Sequence, residues 1–220
     1  LGSMVSPVTF RIPGSFAKVV ATVDEMSGGR VELGVGAGWN EGEHAALGIP
    51  YPGTVGRVDR MEEELAILRG LWDEPDGWSF IGRHYAVQDA LFRPKPGSLP
   101  WRDAGRPRIL VGGQGSPRSY RIAARFADEF NLSSASPAVA VTKLAALDDA
   151  LRAAGRDPAT LTHSAMVGVL VGRDADEVRG READLLAAMG SDEEAGAWMD
   201  TRRARWIHGT PGEAQARQPS

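Results

Sequence analysis

Two glycine-rich stretches in this 220-residue sequence have the spacing to do chemistry, and each follows an apolar run. The second, Gly112-Gly113-Gln114-Gly115-Ser116, lies between Ile109-Leu110-Val111 and a segment that opens on Pro117, a residue suited to the first turn of a helix. Glycines there expose backbone N–H groups, and a helix start adds partial positive charge, so the stretch reads as an anion site, most often for phosphate. Arg118 and Arg121 are close enough in sequence to assist. The stretch lacks the lysine of a triphosphate-hydrolysing P-loop, which sets that chemistry aside.

The first stretch, Gly34-Val35-Gly36-Ala37-Gly38-Trp39-Asn40, invites a dinucleotide reading. That fingerprint needs a third glycine three residues beyond the second, and Trp39 and Glu41 occupy those places. What remains is a loop that a flat ligand can approach closely. Trp39 would serve as an aromatic wall, and the Asn40 amide would offer a donor and an acceptor to the edge of a flavin-like ring. The competing reading is a tight turn with Trp39 plugging the core. Glu41, Glu43 and His44 follow directly. Glu43 and His44 are candidate proton donors, although carboxylates in a first helical turn commonly serve the helix dipole.

Composition narrows the field. Lys and Arg number 25 against 29 Asp and Glu, a formal net charge of -4, which speaks against nucleic acid as a partner. Cysteine is absent, so thiolate catalysis, disulfides and Cys-ligated metals are excluded. The four histidines form no metal-spaced pair, and no metal site is expected. There is no Gly-x-Ser-x-Gly elbow for an esterase. Asn131-Leu132-Ser133 matches a glycosylation acceptor and reads as accidental. No apolar run approaches the roughly 20 residues of a membrane span, so the expectation is a soluble, cytoplasmic protein that avoids membranes.

The elements that must position these loops alternate. Strands are expected at 4–8, 30–35, 108–111, 129–132 and 163–171. Helices are expected from Pro13 to Gly28 with Phe16, Val19, Val20 and Val23 in register, at about 41–47, from Thr54 (as cap) to Trp72, from Pro117 to about Ala127, over 138–154, and from Asp174 onward. Val58, Met61, Leu65, Leu68 and Leu71 share one face of the long helix. A hairpin is expected over 78–93, followed by a Pro-rich link and a polar loop, and the remainder after Asp174 reads as helical, with a charged run from Asp200 to Arg205. Strand–helix alternation predicts a parallel sheet, wound either as an open sheet or as a barrel, and both place chemistry at the carboxyl ends of the strands. The hairpin or the long helix offers a pocket cover or a homodimer face, and the sequence leaves both open.

These residues resemble a family. Val5-Ser6-Pro7-Val8-Thr9-Phe10-Arg11-x-Pro13 and Leu33-Gly34-Val35-Gly36-Ala37-Gly38-Trp39-Asn40-Glu41-x-Glu43 look like the luciferase-like monooxygenase superfamily. Arg57-Val58-x-Arg60-Met61-x-Glu63, Leu68-x-x-Leu71-Trp72, Phe80-x-Gly82-x-x-Tyr85, Pro94-Lys95-Pro96, Ile109-Leu110-Val111-Gly112-Gly113, Ala123-Ala124-Arg125-x-Ala127-Asp128 and Gly209-Thr210-Pro211 extend the match. The branch most resembled is the coenzyme F-420-dependent oxidoreductases. The resemblance implies an α/β fold of the (β/α)8 TIM-barrel type with a hairpin insertion. It also implies a single domain over 1–220 that is incomplete at both ends, an expectation that agrees with the opening on Leu1 and the polar close from Gln215 to Ser220.

The resemblance further implies hydride transfer between coenzyme F-420 and a small organic substrate. The ring would lie near Ser6, Gly38, Trp39 and Asn40, and the coenzyme phosphate on Gly112, Gly113, Gln114, Gly115 and Ser116. Asn40, Glu43 and His44 are the catalytic candidates. FMN is the alternative coenzyme, serving a monooxygenase; Ala37 stands where flavin-using relatives often carry a basic residue. A non-catalytic, degenerate barrel protein is the third reading.

Overall fold

The computed structural model describes residues 2–97, 105–191 and 194–216. The polar loop before the third expected strand and the last residues of the polar tail lie outside that range. β1 (Gly2–Pro7) leads through a short 3-10 turn, Val8–Phe10, to α1 (Pro13–Met26), β2 (Glu32–Gly36), α2 (Glu41–Ala46) and α3 (Thr54–Asp73). A hairpin of β3 (Trp78–Ile81) and β4 (Ala86–Ala90) follows, then β5 (Arg108–Gly113), α4 (Pro117–Phe126), β6 (Glu129–Ser133), α5 (Pro137–Ala153) and β7 (Thr162–Met166). The last elements are β8 (Val169–Val171), α6 (Ala175–Ala188), α7 (Ala195–Asp200), β9 (Ile207–Gly209) and α8 (Pro211–Gln215).

Five strands form one parallel sheet in the order β1-β2-β5-β6-β7. Each helical connection returns the chain to the amino end of the sheet, so the loops leaving the strands gather at one rim. Side chains alternate across the sheet. Leu33, Val35, Ile109, Val111, Phe130 and Leu132 point toward the helices and pack with Phe16, Val20, Met61, Leu65, Leu68 and Ile122. Each such large side chain contributes about 1.5–3 kcal/mol by leaving water.

The other face is glycine-rich and polar. A Cβ on Gly34 would come within 2.1 Å of the Ser3 carbonyl oxygen, and one on Gly36 within 2.5 Å of Val5 Cγ2. One on Gly112 would meet Val5 Cγ1 at 3.1 Å. Three glycines on two adjacent strands therefore make room for Val5, rather than for a ligand. On the same face, level with Gly112, Asn131 Nδ2 donates to Ser164 Oγ at 2.8 Å and Ser164 Oγ donates to Glu129 Oε1 at 2.5 Å. Asn131 is buried within β6, in keeping with its acceptor motif being accidental.

Several expectations need correction. Gly53, not Thr54, is the N-cap of α3, and Thr54 Oγ1 instead accepts from Arg57 Nη2 at 3.3 Å. α1 buries Phe16, Ala17, Val20, Ala21 and Asp24, leaving Val19 and Val23 exposed. The expected strand 163–171 is two strands. β7 completes the large sheet, while β8 pairs in parallel with β9, in a region read as helical. β8 and α6 sit over a separate small core of Leu170, Val178, Leu186, Trp198 and Met199. No helix among the described residues is long and apolar enough to cross a membrane.

Candidate active site

Parallel pairing sets Ser6 against Val35 and Pro7 against Gly36, and Val35 against Val111. The loops after β1, β2 and β5 therefore emerge side by side at the carboxyl rim, which brings together all the residues singled out in the two glycine stretches and Ser6. Ser6 shares a face with Val35, so its side chain points toward the helices; it is buried and accepts from Arg11 Nη1 at 2.9 Å. The Met4–Val5 peptide just before it is cis.

The loop after β2 is braced from three sides. Gly38 has φ +81°, and a Cβ there would press on Thr9 Oγ1 at 3.2 Å, so glycine is required on both counts. Its carbonyl accepts from Arg57 Nε at 3.1 Å. Arg57 lies in the buried face of α3 with its guanidinium carbon 4.0 Å from the centre of the Tyr51 ring, and it also donates to Thr54. Trp39 is 83% exposed, which removes the core-plug reading, and its carbonyl accepts from the Tyr51 hydroxyl at 2.9 Å. Asn40 is the N-cap of α2: its Oδ1 accepts from the Glu43 N–H at 3.1 Å. The amide oxygen offered above to a ring edge is therefore engaged with the backbone. Glu43 is exposed in the first turn of α2.

His44 is 1% exposed, wedged edge-on between the rings of Phe10 and Tyr51 at 5.0 and 4.7 Å. Its Nδ1 is 2.5 Å from the Asn40 carbonyl oxygen, and its Nε2 is 2.7 Å from Thr9 Oγ1. A carbonyl only accepts, so Nδ1 carries the proton; in the neutral ring Nε2 then accepts the Thr9 hydroxyl proton. His44 reaches the rim only through Thr9.

The loop after β5 is built differently. Ser116 and Ser119 form a reciprocal capping box, Ser116 N–H donating to Ser119 Oγ at 2.7 Å and Ser119 N–H to Ser116 Oγ at 3.2 Å. Those two N–H groups are thus already satisfied within the chain, leaving the Gly113–Gly115 backbone as the part of the expected anion cradle nearest the rim. Gly115 has φ +77°, and a Cβ there would meet the Tyr120 hydroxyl at 2.6 Å. Gly113 is looser, with its nearest neighbours at 3.8 Å. Arg118 does not assist: it donates to Asp59 Oδ1 at 2.6 Å and to Glu62 at 3.3 Å on α3, and this hydrogen bond is the main cause holding the Asp59 carboxyl below its usual range. Arg121 turns back to the Pro117 carbonyl. The cation at this loop is Lys143, whose Nζ donates to the Gln114 carbonyl from α5. No sequence signal singled it out, because it arrives from 29 residues away.

Beneath the β1 end, Glu64 on α3 is 1% exposed and its Oε2 has no hydrogen-bond partner. Burial pushes its carboxyl up to about 8, and the Arg11 charge offsets this in part. Glu63, its neighbour, faces outward and accepts from the backbone N–H groups of Arg83, His84 and Tyr85 at 2.8, 2.9 and 2.9 Å. That carboxylate pins the turn of the β3–β4 hairpin to α3.

Comparison with known proteins identifies the family and the fold. The family model for luciferase-like monooxygenases matches residues 1–219, and the chain belongs to that family. It is 33% identical over 180 residues to an FMNH(2)-dependent dimethylsulfone monooxygenase of Pseudomonas putida, covering 80% of this chain and 46% of that protein. A phthiodiolone/phenolphthiodiolone dimycocerosates ketoreductase of Mycobacterium kansasii is 33% identical over 182 residues, 81% of this chain and 46% of that one. The chain thus spans just under half the length of these curated relatives. Among solved structures, an F420-dependent secondary alcohol dehydrogenase superposes with a TM-score of 0.75 at 22% identity, covering 97% of this chain and 67% of that one. The coenzyme F420-dependent tetrahydromethanopterin reductase of Methanopyrus kandleri gives 0.71 at 18% identity, with 99% and 72% covered. The five-stranded sheet with its flanking helices is therefore an arc of the TIM-barrel fold of this family, and its glycine-rich face is the barrel interior.

Proposed function

We propose that this protein is an oxidoreductase that transfers a hydride between coenzyme F-420 and a small organic substrate. The observation that carries this reading is the pair of glycine loops at the carboxyl ends of the adjacent strands β2 and β5, with Lys143 held at the lip of the second. The residues fit a planar coenzyme with an anionic tail. The backbone from Gly113 to Gly115, with Ser116 behind and Gly112 packed on Val5 within β5, would hold the tail beside the Lys143 ammonium. Gly38, Trp39 and Asn40, with the backbone near Ser6, would border the ring. When bound, the coenzyme supplies the hydride acceptor or donor. Ala37 favours the deazaflavin over FMN, since no basic side chain stands there for a flavin phosphate.

The chain's own part is to orient and to handle protons. Buried His44 would exchange a proton with the rim by way of the Thr9 hydroxyl, while exposed Glu43 would act directly from α2. An FMN-dependent monooxygenase is the second reading, favoured by the 33% identity to an enzyme whose name specifies FMNH(2).

Separate titrations with coenzyme F-420 and FMN, followed by fluorescence, test the choice. The expected result is saturable F-420 binding that Gly113→Asp abolishes by placing a carboxylate beside the tail, with the fold intact by circular dichroism. Tight FMN binding without F-420 binding would select the monooxygenase reading. Unchanged F-420 affinity in Gly113→Asp would show the anion site to be elsewhere.

A further inference from the structure

A cavity of about 380 Å³ opens at the rim beside the first loop, lined by Thr9, Pro50, Tyr51, Pro52, Arg60 and Tyr85. It contains no carboxylate, and one of its walls is a half-buried guanidinium. Most arginines around the two loops are engaged. Arg57 donates to Gly38 and Thr54, Arg118 to Asp59 and Glu62, and Arg11 to Ser6. Arg60 has no carboxylate, carbonyl or hydroxyl partner among the described residues. Its guanidinium carbon lies 5.6 Å from the centre of the Tyr85 ring. A guanidinium withdrawn partly from water without an acceptor leaves its donors available to an incoming oxyanion.

Thr9, in the same lining, has a set polarity while His44 is neutral. In the neutral ring the Asn40 carbonyl holds the proton on Nδ1, so the Thr9 hydroxyl donates its hydrogen bond to His44 Nε2. Toward the cavity Thr9 then presents lone pairs, which accept a hydrogen bond from a ligand O–H or N–H. The rest of the lining is Tyr51, Tyr85 and two prolines. Glu63 fixes Tyr85 through three backbone hydrogen bonds to the hairpin turn, and Arg57 stacks on Tyr51.

The geometry points to a site for a small organic acid, its oxyanion on Arg60, its apolar body between Tyr51 and Tyr85, and a hydroxyl or amine on the neighbouring carbon donating to Thr9. Its use as the substrate-anion subsite rests on the oxidoreductase reading above; the binding itself does not.

The test uses the full 220-residue chain without coenzyme, with phenylacetate and mandelate as probes and phenylacetamide as the neutral control, read by NMR titration. Phenylacetate should bind saturably and phenylacetamide should not. Arg60→Gln should weaken phenylacetate at least about tenfold, as expected for losing a hydrogen bond to a charged group. Arg121→Gln, on the exposed face of α4, should leave it unchanged. Mandelate should bind about fivefold tighter than phenylacetate, and Thr9→Val should erase that difference. If Arg60→Gln loses its fold by circular dichroism, the Thr9→Val comparison still decides. Absence of saturable binding by the unaltered chain, or Arg60→Gln binding as well as it, overturns the proposal, and so does a mandelate preference that survives Thr9→Val. Arg60-dependent binding in a protein that binds neither coenzyme would keep the acid site and remove the oxidoreductase reading.

Discussion

The loops after β2 and β5 look alike in sequence, each a glycine run behind an apolar strand, yet they are held by opposite means. The β2 loop is fastened by buried side chains from elsewhere: Arg57 on its carbonyl, His44 beneath it, and Val5 filling the hollow under Gly34 and Gly36. The β5 loop is fastened mainly by its own neighbours, the Ser116–Ser119 capping box, with Lys143 as an added strut. Glycine therefore serves close packing at Gly34, Gly36, Gly112 and Gly115, and of the second stretch Gly113 is the one with room around it. Glycine richness at two strand ends does not mean identical work, because what a missing Cβ leaves behind depends on which side chain the partner strand delivers.

The contrast is open to attack through the supports of each loop. The largest effect is expected at Glu64, beneath the β1 and β2 side. Its carboxyl ionises near its usual 4.5 when unfolded and at about 8 when folded, so the stability that depends on it is whole at acid pH and declines as pH rises between those values. The loss by pH 9 should be on the order of 4 kcal/mol. Urea denaturation at several pH values should show this decline, and Glu64→Gln should flatten it; a parallel decline in the variant would place its cause elsewhere.

Gly34→Ala comes next. Its new methyl would run into the Ser3 backbone, and a loss of about 3 kcal/mol is expected from the overpacking. A melting temperature equal to that of the unaltered chain would contradict the packing role. Asn40→Ala, which removes the α2 cap, should cost about 1 kcal/mol in the same denaturation assay. The smallest effect is expected at Gly113→Ala, whose nearest neighbours stand at ordinary contact distance; a stability change within about 0.5 kcal/mol should follow. If Gly113→Ala destabilised as much as Gly34→Ala, the difference between the two loops would disappear.

The arrangement of the rim was readable in large part because it follows from local pattern. The strand at 108–113, the glycine break and the helix from Pro117 are all written in neighbouring residues, and so are α2 and its acidic first turn. The roles of Arg118, Asn40 and Ser6 were not readable. Arg118 has partners 59 and 56 residues away on α3, and these take the guanidinium that helix position alone would have offered to an anion. The Asn40 amide is equally suited to a ring edge and to a helix cap, and only the start of α2 decides between them. Arg57 and Arg60 stood in one recognised motif, yet a single turn of helix makes one a brace and the other a cavity wall.

The sequence alone determined the alternation of strands and helices, the family, and the gathering of both glycine loops at strand ends, since periodicity and turn chemistry act between residues close along the chain. The split of the apolar run 163–171 was settled only by tertiary structure. Its first half extends the large sheet beside β6 and its second half pairs with β9, some 38 residues on. Which edge an apolar strand joins depends on the partner that folding brings to it, and a strand's own residues encode a preference for pairing without naming the partner.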